Sequence, residues 1–481
     1  MPRLCYNGVA LSEKVGLSPL VATVTPEETA ITAKPTTQIH RLAWIIVLVS
    51  FALFCSTSIA LSGGVYFFLF RSTLQMDVTA EVSRGSAGFA AVDYEQNVTT
   101  NDVPLLMNDR PSSLSTDNLS QALLSFSIPD NTSEVASRTI LGTITLENNS
   151  SITLQTARRP RFTWSDSAYF LEFANFKGEA DIYLTSPRTI PVQLTVRTDK
   201  GNATFSFLTN GRYSILANDD VIQLVTAEGR ALLISPQANN NRLAVTGEQA
   251  TLTTGANLPI VSSAPTDLLE NGLFSFDFTR TEAGDILLPQ RWACSSQSDG
   301  PPSGSWFMDT WNGRQAIRLI REVGNTTSQT GCIQPLDISV TQYSYLELRA
   351  TIALNFQSLV NCGDVGSECP MMIFIDYEDV NGDQRTWYQG LFYNFDPQSP
   401  APIVCPPCGQ VYEHRPVSDQ IWYTFESGNL FNRLPEESRP ARILNVEFYA
   451  SGHRYDVFVS EVALFAGTQQ VIPPDVPESQ N

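Results

Sequence analysis

Apolar and polar positions divide the chain into one long apolar segment and a body of short alternating runs. The apolar segment, 42–70, reads LAWIIVLVSFALFCSTSIALSGGVYFFLF and contains no charged residue. A helix needs about 20 apolar residues to cross the hydrocarbon core of a bilayer. Trp44 and Tyr66 lie near the two ends of the segment, where interfacial aromatic residues are common. The pattern therefore predicts one transmembrane helix over 42–70.

Two other interpretations of this segment are a cleaved signal peptide and a buried core helix. The apolar core of a signal peptide is about 7–15 residues long and lies close to the N-terminus. This run is longer and begins only after position 41. We therefore favour an uncleaved membrane anchor.

The charges that flank the segment predict its orientation. The N-terminal flank contains four Lys or Arg residues, whereas the C-terminal flank has Arg71 and then no basic residue before Arg84. Basic residues are retained on the cytoplasmic side of a membrane. We expect 1–41 to be a flexible cytoplasmic tail and the rest of the chain to lie outside the cytoplasmic membrane.

Alternation with a period of two dominates the chain beyond Arg71. Val192, Leu194 and Val196 alternate with polar residues, and from 346 to 356 every even position is apolar. This is the repeat of a β-strand with one buried face. Gly, Asn, Asp and Pro separate the runs, as they do in all-β proteins. The predicted fold class is mainly β after the single helix.

A Pro/Ser/Thr-rich stretch divides this β body in two. The stretch 253–267, TTGANLPIVSSAPTD, separates regions of different composition and predicts a linker. We expect one β-domain over 78–252, a second over 268–467, and a disordered Pro-rich tail over 468–481.

Charge and motif content argue against two classes of function. The chain has 49 Asp and Glu against 30 Lys and Arg, for a net charge of -19. Such an acidic surface repels phosphate backbones, so we expect no nucleic-acid partner. No GxSxG, HExxH, Walker or GxGxxG pattern occurs, and the chain has three histidines. We predict no catalytic residue, no enzymatic activity and no cofactor.

An ordered set of short motifs fills the first β-domain. The segments 141–162 and 169–184 read as a strand, Asn-Ser turn, strand hairpin and as a strand pair. The set also includes these residues: Asp109, Thr116, Ser120, Ala122, Leu124, Phe126, Gly178, Ala180, Gly229, Gly247 and Gln249. It resembles the FecR domain, the extracytoplasmic β-domain of membrane-anchored regulators that pass a surface signal to a cytoplasmic sigma factor. The resemblance implies a FecR-like β-domain over 78–252.

The second β-domain resembles a galactose-binding-like jelly roll, the shape of many carbohydrate-binding modules. The resemblance rests on ENGLFSFDF at 270–278 and on RILNVEFYASGHRYDVFVSEVALF at 442–465, which are similar to its first and closing strands. Between them, Asn381-Gly382 is a strong hairpin signal. The resemblance implies a β-sandwich over 268–467 with a carbohydrate ligand.

Three aromatic residues of this domain are candidates for stacking on sugar rings: Trp387, Tyr388 and Trp422. The alternative is that they fill the core of the sandwich. Trp387 and Tyr388 are adjacent on a predicted strand and therefore face opposite sides of the sheet.

Six cysteines lie in the second domain: Cys294, Cys332, Cys362, Cys369, Cys405 and Cys408. An even number outside the cytoplasm predicts disulfides. Pairing Cys362 with Cys369 would close a short loop, and pairing Cys294 with Cys332 a longer one. The CPPC motif of Cys405 and Cys408 also leaves open a zinc site with Cys362 and Cys369, or redox chemistry. Cys5 and Cys55 should be unpaired.

A run of oxygen-bearing side chains at the predicted hairpin is a candidate calcium site: Asp376, Asp379, Asn381 and Asp383. Calcium prefers several oxygen ligands. A polar hairpin tip explains the same residues without a metal.

These features together predict a membrane-anchored extracytoplasmic binding or sensor protein. Its expected partners are the cytoplasmic membrane and a glycan or envelope protein. One alternative is a FecR-type transmembrane regulator that acts on a cytoplasmic partner. A third possibility is an enzyme that acts on polysaccharide.

Overall fold

The structure is a computed structural model that describes residues 37–92, 94–107, 111–130, 137–186, 190–235, 240–274, 278–280, 286–289, 291–408 and 412–468. It is mainly β with one long apolar helix near the N-terminus, as predicted. Most of the predicted cytoplasmic tail, Cys5, Asp109 and the tail beyond 468 lie outside the described residues. Residues from Phe67 onward form one compact unit, and the helix before them forms another.

The helical segments are few. They are α1 Thr37–Tyr66, a π-helical turn Phe67–Arg71, α2 Leu430–Arg433, and 3-10 turns at Pro406–Cys408 and Glu436–Ser438. The stretch Arg41–Arg71 has a mean hydropathy of 2.3 in its most apolar window, none of which is buried inside the protein. By length and composition it can cross a membrane.

The strands, in chain order, are β1 Thr73–Gln75, β2 Asp77–Arg84, β3 Ser86–Ala91, β4 Tyr94–Thr99, β5 Leu105–Leu106, β6 Ser112–Thr116, β7 Gln121–Asp130, β8 Ser137–Leu146, β9 Ser151–Pro160, β10 Tyr169–Leu184, β11 Val192–Arg197, β12 Asn202–Phe207, β13 Gly211–Ala217, β14 Val221–Glu228, β15 Arg230–Ser235, β16 Asn240–Val245, β17 Glu248–Thr253, β18 Ile260–Ser263, β19 Thr266–Asp267, β20 Phe278–Arg280, β21 Ile286–Pro289, β22 Ala293–Ser298, β23 Ser305–Trp311, β24 Arg314–Arg321, β25 Ser328–Ser339, β26 Tyr345–Gln357, β27 Met371–Asp379, β28 Gln384–Phe392, β29 Arg415–Pro416, β30 Tyr423–Glu426, β31 Pro440–Gly452 and β32 Tyr455–Gly467.

Strands β1 to β18 form the first module, which consists of two sheets joined by the long strand β10. One sheet runs β4-β3-β6-β9-β10-β11-β12-β15-β16. The other runs β5-β2-β7-β8-β10-β13-β14-β17-β18. The apolar side chains between the two sheets form one core, which includes the alternating Val192, Leu194 and Val196. The period-two prediction for this segment is therefore confirmed.

The chain crosses between the sheets of the first module at short loops. One crossing lies at Gly85, whose φ is +71°, and a Cβ atom there would lie 2.3 Å from Ser120 Oγ. Only glycine avoids both the left-handed strain and this clash.

A second crossing corrects a prediction, because β8 and β9 do not form the hairpin expected within 141–162. β8 pairs with β7 and β10, whereas β9 pairs with β1, β6 and β10. In the loop between them, the backbone N–H of Glu147 donates to Glu179 O of β10 at 3.0 Å. The loop is thus tied to β10, and the two strands enter different sheets.

Strands β19 to β32 form the second module, a β-sandwich. One sheet runs β23-β24-β32-β26-β30, with β19 beside β32, and the other runs β22-β25-β31-β27-β28-β29. A separate pair, β20 with β21, lies outside these two sheets, and the core lies between the two sheets. β27 and β28 pair up to Glu378 and Gln384, with Gly382 at φ +86° in the turn. The hairpin predicted at Asn381-Gly382 is confirmed.

The predicted linker, 253–267, is wrong as a free connection. β18, Ile260–Ser263, pairs with β17 and extends the first module. β19, Thr266–Asp267, pairs with β32 of the second module. Because Ala264 N also donates to Gly247 O at 2.9 Å, almost no unpaired chain remains between the modules.

Strand β26 departs from its prediction in a different way. Its even positions from Leu346 to Leu354 are fully buried in the sandwich core, as the alternation predicts. Its odd positions Glu347, Arg349 and Thr351 are buried as well. The polar face of this strand is covered by the first module, so the prediction of one buried face is wrong.

The six cysteines of the second module form three disulfides. Cys294 pairs with Cys332, Cys362 with Cys369, and Cys405 with Cys408. The disulfide prediction is therefore confirmed. Cys55 in α1 is free, as expected, among the residues described.

We expect a buried histidine beside these disulfides to make stability depend on pH. His414 is 2% exposed, its Nδ1 accepts from Gly390 N at 3.0 Å, and its Nε2 lies 2.7 Å from Gly366 O. Burial lowers the pKa of His414 below its ordinary 6.5. The unfolded chain therefore takes up this proton first, and stability should fall as pH drops below about 6.5.

Urea midpoints at pH 7.5 and 5.5 test this expectation. His414→Gln should show a smaller difference between the two midpoints than the unsubstituted chain. The matched control His453→Gln, at a half-buried turn position, should retain the full difference. Equal pH dependence in all three chains would contradict the assignment.

Candidate ligand-binding cleft

The polar face of the sheet β23-β24-β32-β26-β30 meets a polar face of the first module. Arg349 on β26 lies at the centre of the contact and is 6% exposed. Its Nη1 donates to Asp181 Oδ2 on β10 at 2.5 Å, and its Nη2 bonds Glu426, which lies opposite it on β30. Glu179 Oε1 lies 3.8 Å from the same Nη2. One guanidinium thus joins carboxylates of both modules.

Two further arginines cross the same boundary. Arg212 on β13 forms an ion pair with Glu461 on β32, and both are buried. Arg314 on β24 donates from Nη2 to Thr143 Oγ1 at 2.6 Å and stacks over the ring of Tyr183, 4.7 Å from its centroid. Polar contacts thus line the boundary from β13 to β24.

Neutral hydrogen bonds and a small apolar cluster complete the boundary. Gln121 on β7 donates to Thr424 O at 3.0 Å and accepts from Thr424 N at 2.9 Å. Leu123 packs with Trp422 and Phe458 of the second module. The two modules therefore associate through specific, fully buried contacts.

A cleft of about 740 Å³ opens beside this contact. Its lining residues come from both modules and from the connection between them; the charged ones are Glu179, Arg212, Glu228, Asp267, Glu270, Arg291, Glu347, Arg349 and Glu426. Six of these are acidic and three basic. Ligand cavities commonly measure about 300–1,000 Å³ and favour domain interfaces.

Burial shifts several titratable groups of the cleft. It raises the pKa of Glu426 and of Glu179, although Arg349 opposes the shift in both. Burial also raises the pKa of Asp267 to about 6, against hydrogen bonds from Leu269 N and Leu464 N. Burial opposes the charge of Arg349, but Asp181 and the neighbouring glutamates outweigh it and raise its pKa. Groups perturbed in this way inside a cavity mark a candidate functional site.

The chemistry of the lining suits a ligand rich in hydroxyl groups. Each ionised carboxylate can accept several hydrogen bonds, and each guanidinium can donate as many as five. Phe465 supplies an apolar wall, with Arg212 5.0 Å from its ring centroid. The cleft therefore combines closely spaced acceptors and donors with some apolar surface.

The three predicted stacking residues lie elsewhere, and their assignment is corrected. Trp387, Tyr388 and Trp422 are 2%, 3% and 1% exposed. Trp387 is part of the sandwich core, and Trp422 is part of the boundary cluster with Leu123. Tyr388 does face the other side of the sheet from Trp387, as expected, but its hydroxyl donates to Cys405 O at 3.1 Å beneath a covering loop. None of the three presents a ring face to solvent.

The predicted calcium ligands form a hydrogen-bonded hairpin tip. Asp379 accepts from the backbone N–H groups of Asn381 and Asp383 and from Arg385 Nε at 2.5 Å. Asp376 accepts from Thr386. The carboxylates of Asp376, Asp379 and Asp383 do not converge within 4.8 Å of one another. The geometry is that of the polar hairpin alternative.

The alternative zinc site is not formed either. Its four sulfur atoms are bonded in the disulfides Cys362–Cys369 and Cys405–Cys408. His414 lies near Cys362 and Cys369, but both of its ring nitrogens are already hydrogen-bonded.

Sequence reasoning missed the residues that build the cleft. Arg349 and Asp181 are 168 positions apart in the chain, so no local spacing connects them. The available signal was the run Glu347, Arg349 on the polar face of the longest alternating segment. These two opposite charges can be assigned to a contact with another protein surface only when the strands that face them are known.

Several solved structures resemble parts of the chain. The family 11 carbohydrate-binding module from Clostridium thermocellum is 12% identical, covers 38% of this chain and 92% of its own, and gives a TM-score of 0.22. The CBM22-1 xylan-binding domain of Xyn10C from Paenibacillus barcinonensis is 12% identical over 44% of this chain and 99% of its own, with a TM-score of 0.23. A putative anti-sigma factor from Parabacteroides distasonis is 14% identical over 31% of this chain and 59% of its own, with a TM-score of 0.20.

No protein-family model matches the chain, and no curated protein matches it significantly. The FecR resemblance and the signalling alternative that it implies stay predictions.

Proposed function

We propose that this chain is a membrane-anchored extracytoplasmic protein that binds a glycan in the cleft between its two β-modules, without turning it over. The observation that carries the proposal is the cleft of about 740 Å³ with six carboxylates and three guanidinium groups in its lining. A sugar presents neighbouring hydroxyl groups that both donate and accept hydrogen bonds. Carboxyl and guanidinium groups supply both acceptors and donors for such bonds.

In this proposal, the apolar stretch Arg41–Arg71 is the membrane anchor. Its basic N-terminal flank supports a cytoplasmic N-terminus. In that orientation the disulfide-bonded second module lies outside the cytoplasm, where disulfides persist.

Glycan binding can be tested by blocking the cleft without removing a charge. Ala227, on β14, lines the cleft, and Ala227→Trp would fill part of it. We expect the full-length chain in detergent to retain an oligosaccharide on a glycan array. Ala227→Trp should lower the affinity at least about tenfold, which corresponds to about 1.4 kcal/mol.

The matched control is Ala293→Trp, at an exposed position of β22 outside both cavities. It should bind as the unsubstituted chain does. Retention of no glycan by the unsubstituted chain, or equal binding by Ala227→Trp, would contradict the proposal. Release of new reducing ends from a bound polysaccharide would instead favour the enzymatic alternative.

A further inference from the structure

Three carboxylates from the two modules converge beside the cleft. Glu147 follows β8 and Asp181 lies on β10, both in the first module, and Glu426 ends β30 in the second. One oxygen from each lies within 4.8 Å of the others. Two calcium–oxygen bonds of about 2.3–2.6 Å, placed end to end, span about 4.6–5.2 Å. The separation therefore fits oxygens that share one cation.

Two oxygens of this group have no partner. Glu147 is 5% and Asp181 6% exposed. Glu147 Oε2 accepts from Gln121 Nε2 at 2.8 Å, and Asp181 Oδ2 accepts from Arg349 Nη1 at 2.5 Å. Glu147 Oε1 and Asp181 Oδ1 are inaccessible and make no hydrogen bond with any described residue. A buried carboxylate oxygen without a partner is costly, and a bound cation removes that cost.

The surrounding charge points the same way. Five carboxylates lie close enough to the guanidinium of Arg349 to interact with its charge: Glu147, Glu179, Asp181, Glu347 and Glu426. Arg349 bonds only two of them, Asp181 and Glu426, directly. Acidic groups therefore outnumber the one guanidinium that they surround, which favours a cation at this point.

Two of the three carboxylates line a cavity with room for water. This second cavity, of about 360 Å³, is lined by Glu147 and Glu426 and also by Arg84, Arg415 and Arg433. Calcium takes six to eight oxygen ligands in a flexible geometry, and water commonly supplies several of them. The three side chains offer only oxygen, which favours a hard cation over zinc or copper.

We propose that Glu147, Asp181 and Glu426 bind one calcium ion, which holds the two modules together. This inference goes beyond glycan binding and does not depend on it. The cation would join strands β10 and β30 and the loop after β8, all at the boundary between the modules. It differs from the hairpin site predicted at Asp376–Asp383, which lies in the second module alone.

Calcium binding by the full-length chain tests the proposal. The protein in detergent is stripped with EDTA, desalted and titrated with calcium chloride in a calorimeter. We expect one ion to bind per chain and to raise the melting temperature, because a ligand that binds only the folded state stabilises it. Glu147→Gln and Asp181→Asn, which keep the side-chain shape, should each abolish this binding and the rise.

Two controls separate this site from the others. Asp383→Asn, at the hairpin, should bind one calcium ion as the unsubstituted chain does. Ala227→Trp should also retain calcium, even where it loses glycan, so the two proposals fail independently. No calcium uptake by the unsubstituted chain, or stoichiometric binding by Glu147→Gln, would overturn the proposal.

A crystal of the unsubstituted chain soaked with terbium chloride gives a test that needs no variant to fold. We expect an anomalous peak between Glu147, Asp181 and Glu426. A crystal with no peak there, or with its peak at the hairpin alone, would overturn the assignment.

Discussion

Replacing Arg349 with methionine is expected to lower the free energy of unfolding by about 3–5 kcal/mol, since it removes one partner of a buried ion pair and leaves the others uncompensated. Arg349 is 6% exposed and bonds Asp181 and Glu426 directly. Methionine fills similar volume but offers no charge and no donor. The carboxylates around it would then repel one another in a poorly hydrated space.

Urea unfolding of the full-length chain in detergent measures this loss, with EDTA present so that no bound metal offsets it. The matched control is Arg442→Met on β31. The Arg442 side chain is 43% exposed and pairs with Asp337 and Glu378. Exposed pairs contribute about 0–1 kcal/mol. Equal losses in the two variants would mean that the boundary cluster does not stabilise the fold.

Removing the disulfide between Cys294 and Cys332 should cost about 4 kcal/mol. The two cysteines lie directly opposite each other on β22 and β25 and are 38 positions apart in the chain. In the loop-entropy account, a cross-link stabilises by restricting the unfolded chain, and the effect grows with the length of the closed loop. The double variant Cys294→Ala, Cys332→Ala should therefore be the least stable of the three disulfide deletions.

The control for this prediction is the double variant Cys405→Ala, Cys408→Ala. That pair is separated by 3 positions, and its loss should cost only about 1.6 kcal/mol by the same relation. Unfolding midpoints of the two variants under identical conditions give the comparison. A larger loss from the short loop would show that native packing, and not chain entropy, decides the contribution.

The strands and the apolar helix could be predicted from the sequence because their causes are local. The alternation at Val192, Leu194 and Val196 and the turn at Asn381-Gly382 each act within a few residues. The apolar run at 42–70 likewise predicts a membrane-spanning helix from its own composition, without reference to the rest of the chain. In each case a side chain's preference for water or for a turn conformation decides the structure without reference to distant parts of the chain.

The crossing at 147–150 and the cleft depend on distant partners. The loop after β8 follows β10 because Glu147 N bonds Glu179 O, a contact that the hairpin pattern does not contain. Likewise, Glu347 and Arg349 have the alternation of a solvated strand face. They are buried because the first module presents Asp181 and Glu179 to them. Polar residues alone cannot distinguish water from a complementary protein surface.

The burial of aromatic residues also depends on parts of the chain that the local sequence does not reveal. Trp387 and Trp422 have the size and chemistry of sugar-stacking residues, but both fill interior space. A large apolar ring gains more free energy from full burial than from partial exposure. Its presence in a sequence therefore predicts a contact but not the partner.

The short connection between the modules has a consequence for how a ligand enters. β18 ends at Ser263 and β19 begins at Thr266, so only three Cα–Cα steps of about 3.8 Å separate two hydrogen-bonded strands. At this point the two modules cannot separate by more than this length unless one of the two strands leaves its sheet. The buried ion pair of Arg212 with Glu461 joins the modules at a second place, so we expect a ligand of the proposed cleft to meet walls that are already held in position before it binds.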